Sequence, residues 1–241
     1  MKDAVYYIPI LTTVLSLYFA WVVFSRYRSR ERAPHLLWWA AGILLFGVGT
    51  FMEGFTAVFG WNEVIFRSWY ISGALLGGAP LAQGTVYLLM KRRTADRMSI
   101  GLVAFIFVAA VLVLLTPVDT SVASDSKLSG DVIEWTWVRS FSPFINTYAF
   151  IFLVGGAAYS AIKYHESGAQ RQRMCGNILI SIGALLPGIG GSFTRFGYTE
   201  VLYVTEFAGI ILIYAGYRLS VVGRPARKAA PEAAEPAVLT A

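Results

Sequence analysis

Apolar residues run through this chain in blocks of about 16 to 25 separated by short polar stretches, the length that crosses roughly 30 Å of hydrocarbon at about 1.5 Å per residue. Seven blocks predict seven spans, at residues 4–24, 36–59, 65–90, 98–115, 137–162, 175–194 and 201–222. The connections are short except for residues 116–136, which are polar, acidic and rich in serine. The pattern predicts an all-α, polytopic membrane domain of seven transmembrane helices over residues 1–223. Beyond it, residues 224–241 form an Ala- and Pro-rich tail with no apolar period, expected to be disordered and cytoplasmic. A tail of that length is too short for a kinase or cyclase domain.

Composition agrees with lipid as the solvent. The chain is 56% hydrophobic and 14% charged, against about 25% charged for ordinary globular chains. The first apolar block is longer than the apolar part of a signal peptide and runs into Arg26, Arg28, Arg30 and Arg32, so it reads as a retained helix.

The net charge of +6 does not point to nucleic acid once its placement is considered. Fifteen of the twenty Lys and Arg residues fall in the 1–2, 3–4 and 5–6 loops and in the tail with the adjoining end of the seventh span, against five of the fourteen acids. The opposite side holds five basic residues and nine acids. The positive-inside rule then puts the N-terminus outside and the C-terminus in the cytoplasm, with the chain in the cell inner (plasma) membrane. The basic inner loops are a candidate docking surface for a cytoplasmic or membrane protein partner.

Two turns echo one another. Residues 59–66 read FGWNEVIF and residues 196–203 read FGYTEVLY, with four identities and three similar pairs. This fits a 3+1+3 arrangement of parallel repeats. It also fits two turns that independently need Gly for a tight bend and an aromatic at the interface.

Ionisable groups inside a span cost about 2.5–3.5 kcal/mol at the bilayer centre on insertion scales, so they mark function or pairing. Glu53 and Glu206 lie at matched depth, roughly 10 Å below the outer ends of the second and seventh spans. Each shares a helical stripe with small residues: Gly49, Thr50 and Thr56 for Glu53; Gly209 and Gly216 for Glu206. Such stripes mark helix contacts. Arg67, with Tyr70 on its face, Arg139, with Asn146 on its stripe, and Arg195 come from the same outer side. Five charges from five helices thus define a candidate outer layer. The candidate ligand-binding set is Glu53, Arg67, Tyr70, Arg139, Asn146, Arg195 and Glu206. Three arrangements are open to them: a pocket for a small ligand, a clasp of ion pairs tying the helix ends, and a proton-coupled transport site.

Other chemistry finds no support. His35 and His165 both sit at inner helix ends, unsuited to paired haem ligation, and the seventh span lacks the lysine that a retinal Schiff base needs. Cys175 is the single cysteine, and there is neither a zinc cluster nor a phosphate loop. No cofactor, metal or catalytic residue is expected, and the chain does not read as an enzyme. Pro80 and Pro187 are expected to bend the third and sixth helices and free backbone carbonyls.

The stretch FGVGTFMEGF, a short turn and the proline-containing SWYISGALLGGAP resemble the N-terminal seven-helix sensor region of some bacterial histidine kinases and cyclases. The last two spans resemble a group of uncharacterised bacterial seven-helix membrane proteins. The first resemblance implies a sensor-type protein with Glu53 in its sensing region, binding a small extracytoplasmic or membrane ligand and signalling through a separate partner. A small-solute transporter and a structural or assembly subunit are the alternatives.

Overall fold

Proline, glycine and charge set where the apolar runs stop being helical. The computed structural model describes residues 4–29, 32–124, 127–167, 171–194 and 196–222. The expected disordered tail at 224–241 and Arg195 lie outside the described residues. Among the described residues the chain is helical apart from turns, short loops and two isolated β-bridges, Val118 with Ile133 and Ser124 with Lys127.

After a 3₁₀ turn at Ala4–Tyr7 come α1 (Ile8–Ser29) and α2 (Pro34–Phe59). Pro34 opens α2 at a position whose N–H would have no helical partner. Gly60 ends it at φ 90°, a conformation that suits glycine. The Asn62 side chain then accepts hydrogen bonds from the Val64 and Ile65 N–H groups and starts α3 (Glu63–Trp69). A π-helical turn follows at Tyr70–Leu75, then a break at Leu76–Gly78, then α4 (Ala79–Leu89). The remaining helices are α5 (Arg92–Leu115), α6 (Phe141–Ala149), α7 (Gly156–Glu166), α8 (Arg171–Thr194) and α9 (Thr199–Val222). A second π-helical turn, Phe150–Gly155, joins α6 to α7 without a break.

Among the described residues, six helices are long and apolar enough to cross a membrane: Ala4–Ser29, Pro34–Phe59, Arg92–Leu115, Thr136–Glu166, Arg171–Thr194 and Thr199–Val221. The expected span at 65–90 is not among them, because it is divided. Pro80 has no N–H to give the carbonyl four residues earlier, and Gly77 and Gly78 remove the side chains that would favour helix there. The Leu76 N–H instead bonds to the Ile71 carbonyl, five residues back, at 3.0 Å. Pro80 therefore restarts a helix, where a bend had been expected. Pro187 lies within the continuous α8.

Glycine lets backbones meet where the bundle is tightest. On α2, Gly49 lies against Gly73 of the π turn, and a Cβ there would come 3.0 Å from the Gly73 Cα. Between α8 and α9, a Cβ on either Gly183 or Gly209 would lie 2.7 Å from the other's carbonyl oxygen. The stripe predicted along α9 is thus a contact face toward α8. Pro187 withdraws the N–H that would bond the Gly183 carbonyl, so this close approach falls on a freed acceptor.

The polar connection at 116–136 does more than link spans. Leu128, Val132, Ile133 and, just beyond, Val138 are buried with Phe66, Tyr70, Leu102, Ile106 and Val113. The segment folds as a lid of 3₁₀ turns at Thr120–Val122 and Gly130–Val132, closing the acidic end of the bundle. The turn glycines of the two echoing segments also agree, with φ 90° at Gly60 and 89° at Gly197.

Candidate functional site

Glu53 lies seven residues before Gly60 on α2, and Trp69 lies seven after Asn62 at the end of α3. The hairpin brings them to one level, and the Trp69 indole N–H donates to Glu53 Oε1 at 2.9 Å. Glu206 lies seven residues into α9 from Thr199, at the same depth. Glu53 is 3% exposed. The Glu53 and Glu206 carboxyls are within hydrogen-bonding reach of each other. The Oε2 atom of each is buried with no donor among the described residues. Two ionised carboxylates are acceptors only, so a hydrogen bond between them requires a proton on one.

Around the pair the surroundings are aromatic. Tyr203, one turn before Glu206, is buried and lies close enough to act electrostatically on both carboxyls. Its ring meets that of Tyr6 edge-on at 6.0 Å. The Tyr6 hydroxyl donates to Glu200 Oε1, which also accepts from Lys127 Nζ at 3.3 Å. Partial burial opposes charging of the Lys127 amine, but its contacts with Tyr6 and Glu200 outweigh this and hold it above the usual lysine range. Lys127, Glu200 and Tyr6 thus form a hydrogen-bonded set that adjoins Tyr203 through a ring contact.

The arginines of the predicted layer are engaged elsewhere. Arg67 donates from Nε at 2.9 Å and Nη2 at 2.7 Å to Glu63 Oε1. It also donates to the Thr116 carbonyl at 2.8 Å and to the Val113 carbonyl. Those carbonyls belong to the end of α5, where the helix leaves acceptors unpaired and favours a cation. Arg139 Nη2 donates to Asp131 Oδ1 at 2.7 Å. Tyr70 is buried, and its hydroxyl accepts from Ser142 Oγ at 3.2 Å. Asn146 is exposed on α6. The structure brings Glu53 and Glu206 together and holds Arg67 and Arg139 in separate contacts. Arg195 is outside the described residues.

Trp69, Tyr203, Tyr6, Glu200 and Lys127 were absent from the predicted set. Trp69 was legible, because Glu53 and Trp69 are equidistant from Trp61 at the hairpin tip. Tyr203 was legible as the aromatic three residues before Glu206. Nothing local marks Lys127, which reaches Glu200 from a connection 73 residues away in sequence.

Among the described residues, no three His, Cys, Asp or Glu side chains converge as a metal site. No protein-family model, curated protein or solved structure matches the chain. What the pair offers chemically is a place where carboxyl groups from two helices come together and one proton could be shared between them.

Proposed function

We propose that the protein is a sensor-type integral membrane protein of the cell inner membrane, in which proton occupancy of the Glu53–Glu206 pair sets the contact between α2 and α9. The observation that carries this reading is the meeting of the buried Glu53 with the half-buried Glu206, the Oε2 atom of each being buried, with Arg67 and Arg139 engaged elsewhere. With the proton present, one carboxyl donates to the other and the helices are bridged. Without it, two like charges face each other in a medium of low dielectric and drive the helices apart. Tyr6, Glu200 and Lys127 supply the polar route from outside. The basic residues at the end of α1 and the start of α5 are the surface on which a separate partner reads the change, with the chain threaded as seven passes, N-terminus out.

The test uses nitroxide labels at Phe59→Cys and Tyr198→Cys, both exposed and next to the α2 and α9 ends, in a Cys175→Ser background. Alkaline pH is expected to lengthen the distance between the labels in the otherwise native chain and to leave it unchanged when Glu206→Gln is added. The same shift in both would overturn the reading.

A proton-coupled small-solute transporter is the second reading, favoured by the divided segment α3–α4, since discontinuous helices border the binding sites of many transporters. Proteoliposomes carrying a pH-sensitive dye separate the two. Solute-dependent proton movement that Glu206→Gln abolishes supports transport, and its absence with an intact pH-dependent distance change supports sensing.

A further inference from the structure

At the basic end of the bundle, remote from the carboxyl pair, a cavity of about 290 Å³ opens between α1, α2, α4, α7, α8 and α9. Its inner wall is apolar, formed by Phe19, Val23, Ile43, Leu81, Leu153 and Ile213. Its polar lining includes Arg26, Arg173, Tyr164, Asn177 and Ser220, and no acidic side chain among the described residues contributes.

The two guanidinium groups rest on aromatic rings. Arg26 lies over Tyr217 at 5.9 Å from the ring centroid, and Arg173 over Tyr164 at 5.7 Å. Among the described residues neither has a carboxylate partner. This contrasts with Arg67, Arg92 and Arg139, each paired with an acid. A guanidinium stacked on a ring keeps its in-plane N–H donors available for an oxyanion while its position is fixed. Ser220 contributes to the lining, but its Oγ is buried in the α8–α9 contact, where a Cβ on Gly176 would lie 2.5 Å from it. The site therefore combines an apolar recess with two cations that have no acidic partner among the described residues.

We propose that this cavity binds an anionic amphiphile, a single hydrocarbon chain ending in a carboxylate or phosphate, with the chain in the recess and the headgroup between Arg26 and Arg173. The volume lies at the lower end of the range for small-molecule sites, about 300–1,000 Å³, and suits one short chain better than a two-chain lipid.

The experiment is native mass spectrometry of the full chain released from detergent. The added probes are dodecanoate, dodecyl phosphate, dodecyltrimethylammonium and inorganic phosphate, each tested separately. Dodecanoate and dodecyl phosphate are expected to give one-to-one adducts, and the cationic amphiphile and inorganic phosphate to give none at the same concentration. Arg26→Gln and Arg173→Gln are each expected to weaken the anionic adducts by about tenfold or more, the scale of one hydrogen bond to a charged group. Arg92→Gln, at the same end of the molecule but outside the cavity, is expected to leave them unchanged. Equal binding of the cationic amphiphile would overturn the proposal by showing an apolar recess without headgroup selection. Tight binding of inorganic phosphate alone would overturn it by showing a site indifferent to the chain. Retention of full affinity by the folded Arg26→Gln, Arg173→Gln double variant would overturn it as well.

Discussion

Glu53 on α2 and Glu206 on α9, 153 positions apart in the chain, face each other inside the bundle, and Trp69 donates to the first of them. In the proposed reading the pair ties α2 to α9 only while a proton is shared between the two carboxyls. The consequences for stability and motion differ for each residue around it.

Replacing Glu53 by Ala removes the acceptor of a partly buried indole N–H and leaves the Glu206 carboxyl without its partner. Leaving such groups unsatisfied costs about 1–3 kcal/mol each. Glu53→Gln keeps the shape, accepts from Trp69 and can donate to Glu206, so its cost is expected to be below about 1 kcal/mol. Thermal unfolding in detergent, followed by circular dichroism, should rank the chains native, Gln, Ala in falling midpoint.

Trp69→Phe deletes the donor and keeps most of the ring. A loss of about 1–2 kcal/mol is expected, and it should largely vanish when Glu53 is already Ala. A double-mutant cycle on the same unfolding assay checks this, with additivity within about 0.5 kcal/mol as the contrary result.

Gly183→Val and Gly209→Val place side-chain atoms where the opposing carbonyl oxygen already lies 2.7 Å from the first added carbon. The helices must separate, and a loss of at least about 2–3 kcal/mol is expected, as for other overpacked sites. Gly188→Ala and Gly191→Ala meet nothing within 4 Å and should be neutral within about 0.5 kcal/mol. A proteolysis or unfolding comparison of the four variants separates contact glycines from incidental ones.

Arg67→Gln should loosen the junction of α3 with the end of α5, because the Val113 and Thr116 carbonyls lose their donor. Faster amide exchange is expected over residues 113–118 and 63–67, with the label distance between α2 and α9 unchanged. A pH-independent opening of that distance in Arg67→Gln would join this arginine to the carboxyl site.

Much of this was legible in the chain. Membrane spans follow from apolar length, and the depths of Glu53 and Glu206 follow from counting residues to the turns. Their inward direction follows from small residues at helical spacing, since only close helix approach rewards a stripe such as Gly209 and Gly216. The pairing was not legible. Opposite charges on one side suggested carboxylates held by Arg67 and Arg139, but those arginines reach Glu63 and Asp131, acids much closer in sequence. Local partners at four or eight residues cost little chain entropy to align and take the cations first. The division of the third span was half visible: Pro80 announced a disturbance, while the full break depended on Gly77 and Gly78 acting with it. The lid at 116–136 was hidden by composition, because its few apolar residues are spaced to reach the bundle only once its turns have formed.

The shared proton itself is the most direct test. Infrared spectra of the protein in lipid nanodiscs, recorded at neutral pH and after alkaline titration, report the carbonyl stretch of a neutral carboxylic acid. The native chain should show that band at neutral pH and lose it on alkalinisation, and both Glu53→Gln and Glu206→Gln should lack it or shift it. A native spectrum with no neutral-acid band at neutral pH, or a band indifferent to both substitutions, would contradict the account.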